Sequence, residues 1–457
     1  MLEPMAFSEL AAVLEGRVVN GDCRFASVSI DSRKIEAGQL FVALTGPRFD
    51  GHDYLDQVAT AGAAGALVER EVSTSTLPQL VVGDTRKALG QLGALNRNAF
   101  VDRAVAAVTG SSGKTTVKEM LASILRTRGP VLATRGNLNN ELGVPLTLLE
   151  LSAEHDAAVI ELGASRVGEI AYTVSLAQPH VSVLTNAGTA HVGEFGGPEK
   201  IVQAKGEIID GLSASGTAVL NRDDKAFDTW LARAGSRPVL SFALQDTRAD
   251  FHASELALDA RGCPRFTLNS PSGSAVVQLN LLGVHNVANA LAAAAAAHAL
   301  GVPLVGMVAG LNGVQPVKGR TVARLATNGM RVIDDTYNAN PTSIRAAIDI
   351  LAGFSGRTVL VLGDIGELGD WAEEGHRDVG AYAKGKVDAL YAVGPLMAHA
   401  SAAFGPAARH FTAQTDLIAA LNAAEQDKNT TLLIKGSRSA AMENVVEALC
   451  GSGSEKH

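Results

Sequence analysis

The sequence predicts an α/β protein of three domains. Its 457 residues correspond to three domains at the usual size of about 150 residues each. Hydrophobic residues make up 47% of the chain and aromatic residues only 4%, which suits helices rich in alanine and glycine packed on parallel sheets. Short apolar runs, each followed by a helical pattern, recur through the last three quarters of the chain. That order is typical of strands and helices alternating in parallel sheets.

Apolar runs bounded by turn residues indicate the elements of the first domain, which we expect to span residues 1–84. They predict strands at Ala26–Ile30, Leu40–Leu44, Ala66–Glu69 and Gln79–Val82, with a helix at Tyr54–Ala64.

The two larger domains are expected at residues 85–315 and 316–457, with a Pro- and Gly-containing hinge at Gln315–Arg320. The middle domain begins with a helix near Thr85–Asn98, and its strands are predicted at Ala104–Val108, Ala157–Glu161, Val181–Asn186 and Thr217–Asn221. The C-terminal domain, of Rossmann-like order, has strands predicted at Arg331–Thr336, Thr358–Asp364, Asp388–Gly394 and Thr431–Gly436.

A long segment without charged residues, from Phe266 to Val317, could be mistaken for a membrane span. Most of its apolar residues are alanines, and His298, Gly301 and Pro303 interrupt it. We therefore expect a buried helix pair and no membrane association.

Charge and cysteine usage exclude several classes of protein. The chain has 39 basic and 47 acidic residues, a net charge of −8, which gives no support to nucleic-acid binding. Cys23, Cys263 and Cys450 are too few and too far apart for a disulfide framework or a metal cluster. The N-terminal residues MLEPMAFSEL do not resemble a signal peptide, so we expect a cytoplasmic protein.

The strongest local signal is TGSSGKTT, which follows a predicted strand and opens a predicted helix. Backbone N–H groups of such a glycine turn point at phosphate oxygens, and the helix dipole adds to the attraction. Lys114 would neutralise phosphate charge and the Thr115 hydroxyl would bind Mg²⁺, although Val108 stands where the general pattern has its first glycine. The predicted nucleotide-binding residues here are Thr109, Gly110, Ser111, Ser112, Gly113, Lys114, Thr115 and Thr116.

Other polar residues at strand ends or helix starts have two interpretations. Glu161 and His191 follow apolar strands and could hold a divalent ion, or could cap a helix and bond to the backbone. Lys205 lies on a predicted helix, where a solvated lysine is the default.

Two motifs further along the chain are equally open. Asp334 or Asp335 could accept hydrogen bonds from ribose hydroxyls, or cap a turn. Asn286 and Asn289, three residues apart, could contact an adenine edge or cap the alanine-rich helix.

Taken together, these motifs resemble the ATP-dependent Mur ligases of peptidoglycan synthesis. That family has the shortened TGxxGKT/S loop, which accounts for Val108. The resemblance runs through VSIDSRKIEAGQLFVALTG, TGSSGKTT, NLNNELGVPLT, ELGA, HNVANA, IDDTYNANP, VLGDIGELG and LIKGSRS. FDGHDY, NLNNELGVP, DDTYNANP and LGDIGELG are similar to the branch that adds D-alanyl-D-alanine to UDP-N-acetylmuramoyl-tripeptide. Ser165 and Arg166 depart from that branch, which often has Asn-His there.

The resemblance implies a role for each matching residue. It makes Glu161 and His191 magnesium ligands, Lys205 a carbamylated lysine beside two Mg²⁺ ions, and Arg320 a hinge arginine approaching the phosphates. It makes Asn286 and Asn289 adenine contacts and Asp335 the ribose contact. Ser32, Arg33, Asn139 and Asn140 are implied to contact the UDP-sugar substrate, and Lys435, Ser437 and Arg438 the dipeptide.

The activity implied is ATP-dependent formation of an amide bond through an acyl phosphate, by a monomer with small-molecule substrates. Three alternatives remain open at this point. The related ligase that adds a diamino acid at the tripeptide step shares most motifs. A P-loop NTPase switch is suggested by NRDD at residues 221–224, and a UDP-sugar-binding protein without turnover is the third.

Overall fold

A computed structural model describes residues 1–47, 49–188, 192–259, 263–316, 319, 321–425 and 427–451. It contains three main sheets, each with helices packed against it, and it confirms the predicted three-domain α/β fold. Among the described residues, no helix combines the length and the apolar character needed to cross a bilayer.

The N-terminal part is built on a five-stranded sheet of order β2-β9-β8-β5-β4, in which only the β2–β9 pair is antiparallel. Its elements are β1 (Met5–Ala6), α1 (Phe7–Val13), β2 (Arg17–Val19), β3 (Arg24–Phe25), β4 (Val28–Ser29), β5 (Leu40–Val42), β6 (Thr45–Gly46), β7 (Phe49–Asp50), α2 (Leu55–Thr60), β8 (Gly65–Val68) and β9 (Gln79–Val81), after which α3 (Thr85–Asn98) leads into the middle part. β4, β5, β9 and α2 are shorter than predicted, whereas β8 has the predicted length and begins one residue earlier. A 3₁₀ turn at Gly51–Tyr54, capped by Asp50, replaces the predicted start of α2.

The middle part has a nine-stranded sheet of order β11-β12-β10-β13-β14-β15-β16-β17-β18. Its elements are β10 (Ala104–Thr109), α4 (Lys114–Arg126), β11 (Val131–Ala133), α5 (Gly143–Leu149), β12 (Ala157–Glu161), α6 (Glu169–Ala177), β13 (Val181–Leu184), α7 (Val192–Phe195), α8 (Pro198–Asp210), β14 (Thr217–Asn221), α9 (Phe227–Ala234), β15 (Val239–Ala243), β16 (Phe251–Leu258), β17 (Pro264–Ser270), β18 (Gly273–Gln278), α10 (His285–Ala299) and α11 (Leu304–Gly313).

Strand β10 is apolar from Ala104 to Val108 because both faces of the sheet are covered. Ala106 and Val108 face a core shared with α4, α10 and α11, whereas Val105 and Ala107 face a second core on the other side. The uncharged segment forms the two predicted helices, but only α10 is largely buried, since α11 exposes Val305 at 75%. The first part of the segment forms β17 and β18 instead. These two strands extend the sheet in antiparallel fashion beyond β16.

The C-terminal part has a six-stranded sheet of order β19-β20-β24-β21-β22-β23, antiparallel only at β19–β20. Its elements are β19 (Val322–Leu325), β20 (Arg331–Asp335), α12 (Pro341–Ala352), β21 (Thr358–Gly363), α13 (Ala372–Ala383), β22 (Ala389–Val393), α14 (Met397–Phe404), β23 (Ala408–Phe411), α15 (Gln414–Ala424), β24 (Thr431–Lys435) and α16 (Glu443–Cys450).

One hydrophobic cluster crosses from the middle sheet to the C-terminal sheet. Phe195 and Ile201, near α7 and α8, belong to the same buried cluster as Ile344 and Leu368. Because the carboxyl ends of parallel strands are where open α/β sheets bind ligands, this junction positions the candidate site.

Candidate active site

The TGSSGKTT turn lies between the end of β10 and the start of α4, as the sequence predicts. Gly110 and Gly113 have φ angles of +146° and +79°. A Cβ at Gly110 would overlap Thr185 Oγ1, and one at Gly113 would overlap Asn289 Oδ1. Both glycines are therefore required by backbone conformation and by close approach. Lys114 Nζ donates to the carbonyl of Gly110 over 2.7 Å, which places the ammonium group at the turn.

Two residues that the sequence reading did not single out hold this turn in place. Thr185 Oγ1 donates to the carbonyl of Ser112 over 2.6 Å, and Asn186 Oδ1 accepts the Ser112 N–H over 3.0 Å. The Ser111 N–H donates to the Asn186 carbonyl, also over 3.0 Å. The available signal was a Thr-Asn pair directly after the apolar run VSVL.

Glu161 is a buried carboxylate at the end of β12, with 2% of its surface exposed. Its Oε2 accepts the Thr115 hydroxyl over 2.8 Å, and its Oε1 accepts the Asn139 amide over 2.9 Å. Among the described residues, no lysine or arginine forms an ion pair with it. A buried carboxylate beside a hydroxyl and a phosphate-binding turn fits a hard divalent cation.

The described residues contain no group of three His, Cys, Asp or Glu side chains that could by itself hold a metal ion. Such a set is not needed where a nucleotide supplies phosphate oxygens, since Mg²⁺ is commonly bound by one or two carboxylates plus phosphates. The predicted ligand His191 and the predicted hinge residue Arg320 lie outside the described residues.

Lys205 on α8 is buried, with 1% of its surface exposed. Its pKa is lowered to about 7, mainly by burial and also by the positive charge of Lys114. The carboxylates of Glu169 and Glu207 oppose this shift. Its Nζ lies 3.3 Å from the carbonyl of Ala164 and 5.2 Å from the centre of the Phe195 ring. The solvated-lysine interpretation is therefore wrong, because this amine is enclosed and easily neutralised.

Asn286 and Asn289 lie on the first turns of α10, on the side of the phosphate-binding turn. Asn289 Nδ2 donates to Asn286 Oδ1 over 2.8 Å, and Asn286 Nδ2 donates to the carbonyl of Leu282 over 2.9 Å. A cavity of about 540 Å³ opens beside the start of α10 and extends to α12, lined among others by Gly283, His285 and Ile350. Burial lowers the pKa of the His285 imidazole.

The C-terminal sheet brings Asp335 and Lys435 together at the ends of the adjacent strands β20 and β24. Their side chains form an ion pair of 2.6 Å, and Asp335 Oδ1 also accepts the Thr321 N–H over 3.0 Å. Ser437 Oγ donates to the carbonyl of Asp364 over 2.6 Å. Arg438 lies at the surface and pairs with Glu443 over 2.8 Å.

The residues expected to contact the UDP-sugar lie on two separate loops. Arg33 is exposed and donates to Asp31 over 2.8 Å, and this bond is the main cause that lowers the pKa of Asp31 to about 2. The Ser32 carbonyl accepts the Gln57 amide over 3.1 Å. Asn140 Oδ1 accepts the Gly143 N–H at the start of α5, next to Asn139.

The fold and the site together define a three-domain, P-loop-containing α/β enzyme of the Mur ligase class. Three family models match successive parts of the chain: "Mur ligase family, catalytic domain" over residues 24–97, "Mur ligase middle domain" over 108–297, and "Mur ligase, glutamate ligase domain" over 319–438.

Individual relatives agree with the family models. A UDP-N-acetylmuramoyl-tripeptide–D-alanyl-D-alanine ligase of Escherichia coli K12 is 44% identical, covering 98% of this chain and 99% of its own. The crystal structure of MurF from Acinetobacter baumannii is similar at a TM-score of 0.93, with 42% identity over 98% of this chain and 99% of that one. The ADP complex of the Thermotoga maritima MurF ligase has a TM-score of 0.83, with 29% identity over 92% of this chain and 96% of that one. The chain belongs to the Mur ligase family.

Proposed function

We propose that this protein is the ligase that joins D-alanyl-D-alanine to UDP-N-acetylmuramoyl-tripeptide at the expense of ATP, in peptidoglycan precursor synthesis. The observation that carries the proposal is the junction of the phosphate-binding turn, the buried Glu161 and the buried Lys205, in a chain 44% identical to a ligase of that name. The two non-ligase alternatives, a nucleotide switch and a passive UDP-sugar binder, do not account for these features together.

The nucleotide is proposed to lie between the turn and the C-terminal sheet. Lys114 and the backbone N–H groups at the start of α4 bind the phosphates. Asn286 and Asn289 contact the adenine, since Asn289 adjoins Gly113, and Asp335 contacts the ribose. Arg320 is proposed to neutralise phosphate charge from the hinge.

The metal assignment follows from the donor set. Thr115, Glu161 and His191 are proposed to hold Mg²⁺, with Lys205 contributing an oxygen ligand once its amine is carbamylated. Magnesium bound there would supply positive charge against the triphosphate and the reacting carboxylate. The family resemblance implies two such ions.

Carbamylation of Lys205 is chemically consistent with its environment. A neutral amine adds to CO₂, loses a proton and becomes an anionic carbamate, so a pKa of about 7 makes the reactive form available near neutral pH. The carbamate would exchange a poorly solvated cation for an anion that a nearby divalent ion can neutralise.

The reaction needs activation because a carboxylate has no leaving group. An oxygen of the tripeptide's terminal carboxylate attacks the γ-phosphorus of ATP, the bond from that phosphorus to ADP breaks, and an acyl phosphate forms. The amine nitrogen of D-alanyl-D-alanine then bonds to the acyl carbon and loses a proton. The bond from that carbon to the phosphate oxygen breaks, and inorganic phosphate leaves with the oxygen and the electron pair. Positioning and charge neutralisation by Lys114 and Arg320 account for most of the catalysis in this scheme.

Three ligands are assigned to the three parts of the chain. Residues 1–84 hold the UDP end through Ser32 and Arg33, and Asn139 and Asn140 lie nearer the sugar. Residues 85–315 hold ATP. Residues 316–457 close over both and bind the dipeptide near Lys435, Ser437 and Arg438.

A small cavity supports this placement of the dipeptide. It measures about 190 Å³ and is lined by Asp364 and Gly394, which directly follow β21 and β22, and by Gln414 and Ser439. Ligands of open α/β sheets bind at such carboxyl ends of strands.

The direct test is ADP release by the purified protein with UDP-N-acetylmuramoyl-tripeptide, with and without D-alanyl-D-alanine, together with mass analysis of the product. Ligation should require ATP, tripeptide and dipeptide, and yield one ADP for each pentapeptide product. A protein that consumes UDP-N-acetylmuramoyl-dipeptide and a diamino acid instead would be the other ligase. ATP hydrolysis unaffected by either substrate would argue for a nucleotide switch.

A further inference from the structure

A second lysine of α4, Lys118, is as deeply buried as Glu161 but lies outside the proposed phosphate contacts. It stands one turn after Lys114 and has 2% of its surface exposed. Its Nζ forms an ion pair of 2.8 Å with Glu119 Oε1 and donates to the carbonyl of Thr134. Burying a lysine is costly unless its hydrogen bonds are satisfied, so its position calls for an explanation.

Thr134, whose carbonyl accepts the hydrogen bond from Lys118, also contacts the end of β12. Thr134 follows β11, is buried, and donates its N–H to the carbonyl of Val159 over 3.1 Å. Its hydroxyl Oγ1 accepts the N–H of Glu161 over 2.9 Å. The β11–β12 ladder ends at Ala133 and Val159, so the Thr134 side chain continues the connection past the last paired residues.

From this chain of contacts we propose that Lys118, through Thr134, is a positioning residue for the Glu161 carboxylate. The inference rests on the metal role proposed for Glu161 and adds how that carboxylate is oriented. Thr115 and Asn139 hold its two oxygens, whereas Lys118 and Thr134 hold the backbone from which the side chain projects. Partners one step removed from a metal ligand set its orientation and hence the affinity for the metal.

Two test substitutions and two controls distinguish a positioning role from a contribution to core stability alone. Lys118→Met keeps length and apolar volume but removes the donor. Thr134→Val keeps shape but removes the acceptor of the Glu161 N–H, whereas Thr134→Ser retains it. Thr147→Val is the matched control, because Thr147 is another buried threonine whose hydroxyl bonds to the backbone, here as donor to the carbonyl of Gly143 and away from Glu161.

The measurement is Mn²⁺ affinity, read by electron paramagnetic resonance titration of the full-length protein with a non-hydrolysable ATP analogue. Circular dichroism and thermal melting are recorded for every variant. We expect Lys118→Met and Thr134→Val to weaken Mn²⁺ binding about 10-fold or more. Thr134→Ser and Thr147→Val should stay close to the unsubstituted protein, even where Thr147→Val lowers the melting temperature.

Unchanged Mn²⁺ affinity in folded Lys118→Met and Thr134→Val, with Glu161→Gln weakened, would overturn this inference and leave the metal site standing. Unchanged affinity in Glu161→Gln would overturn the metal role itself, and the inference with it. If Lys118→Met fails to fold, Thr134→Val against Thr134→Ser decides the question.

Discussion

Thr115 Oγ1 donates a hydrogen bond to Glu161 Oε2 over 2.8 Å, and this bond ties the first turn of α4 to the end of β12. Glu161 pairs with Val108 in the β10–β12 register, so the two side chains meet where the phosphate-binding turn begins. The proposed phosphate and metal contacts thus share one rigid corner of the middle sheet.

Lys114→Ala should abolish ligation and leave the fold intact. Removing one positive charge from a water-poor phosphate site should lower turnover on the order of 10²–10³-fold or more. Turnover is followed by coupled ADP release, and circular dichroism checks the fold. Lys200→Ala, an exposed lysine on α8, is the control and should keep full activity. Comparable turnover in the two variants would contradict the phosphate assignment.

Gly113→Ala should weaken nucleotide binding more than its conformational cost explains. Gly113 has φ +79° and its added Cβ would overlap Asn289, whereas Gly385 has φ +76° with open space around it. Both substitutions cost about 1–2 kcal/mol for the left-handed backbone. Calorimetric titration with an ATP analogue should show a loss of affinity in Gly113→Ala and none in Gly385→Ala. Equal affinity in both would mean that the Gly113–Asn289 contact does not matter for the nucleotide.

Lys205→Ala should be nearly inactive and partly rescued by added short carboxylic acids, because the missing group is an anion. Lys205→Arg should also fail, since arginine stays positive and cannot form a carbamate. Removing bicarbonate should lower the activity of the unsubstituted protein. Activity assays across these conditions check the proposal, and full activity of Lys205→Arg would refute it.

Gly193→Ala should hinder closure of the C-terminal part. An added Cβ would lie 2.5 Å from the backbone nitrogen of Gly369, where α7 meets the C-terminal part. Small-angle scattering should show compaction of the unsubstituted protein with ATP analogue plus UDP substrate, and less compaction in the variant. Gly83→Ala, with nothing near its added Cβ, serves as control. Identical scattering with and without ligands would count against closure.

Acid should destabilise the protein through His376. This imidazole is fully buried, donates from Nδ1 to the carbonyl of Ala372 and accepts the Ile365 N–H at Nε2, so it is neutral when folded. Burial lowers its pKa below the ordinary value of about 6.5. The unfolded chain therefore binds more protons, and stability is lost as pH falls below about 6.5. Urea unfolding measured at pH about 7.5 and 5.5 gives the free energy of unfolding at each pH. The decrease between the two pH values should be larger for the unsubstituted protein than for His376→Gln. An equal decrease in the two proteins would show that His376 does not cause the destabilisation by acid.

Most of the correct predictions from the sequence came from local motifs. The turn Thr109–Thr116 is contiguous, so its strand, glycines and helix are visible along the chain. The strand cores were found because apolar runs such as Ala157–Glu161 are buried on both faces. Their ends were placed less well, because the last paired residue depends on the neighbouring strand.

Contacts between distant residues could not be predicted from the sequence. Thr185 and Asn186 hold the phosphate-binding turn, and the amide of Asn139 reaches the Glu161 carboxylate from 22 residues away. The burial of Lys205 depends on Ala164 and Phe195, which come from other segments and meet it only in the folded chain. The antiparallel strands β17 and β18 were missed because their alternation is hidden within a long uncharged segment.

Formation of the acyl phosphate can be followed by tracing the oxygen that moves from the carboxylate to phosphate. Tripeptide substrate with ¹⁸O at both oxygens of its terminal carboxylate is ligated by the protein with ATP and D-alanyl-D-alanine, and the released inorganic phosphate is analysed by mass spectrometry. Transfer of one carboxylate oxygen to phosphorus predicts phosphate carrying a single ¹⁸O atom for each amide bond formed. Unlabelled phosphate alongside normal ligation would contradict the account.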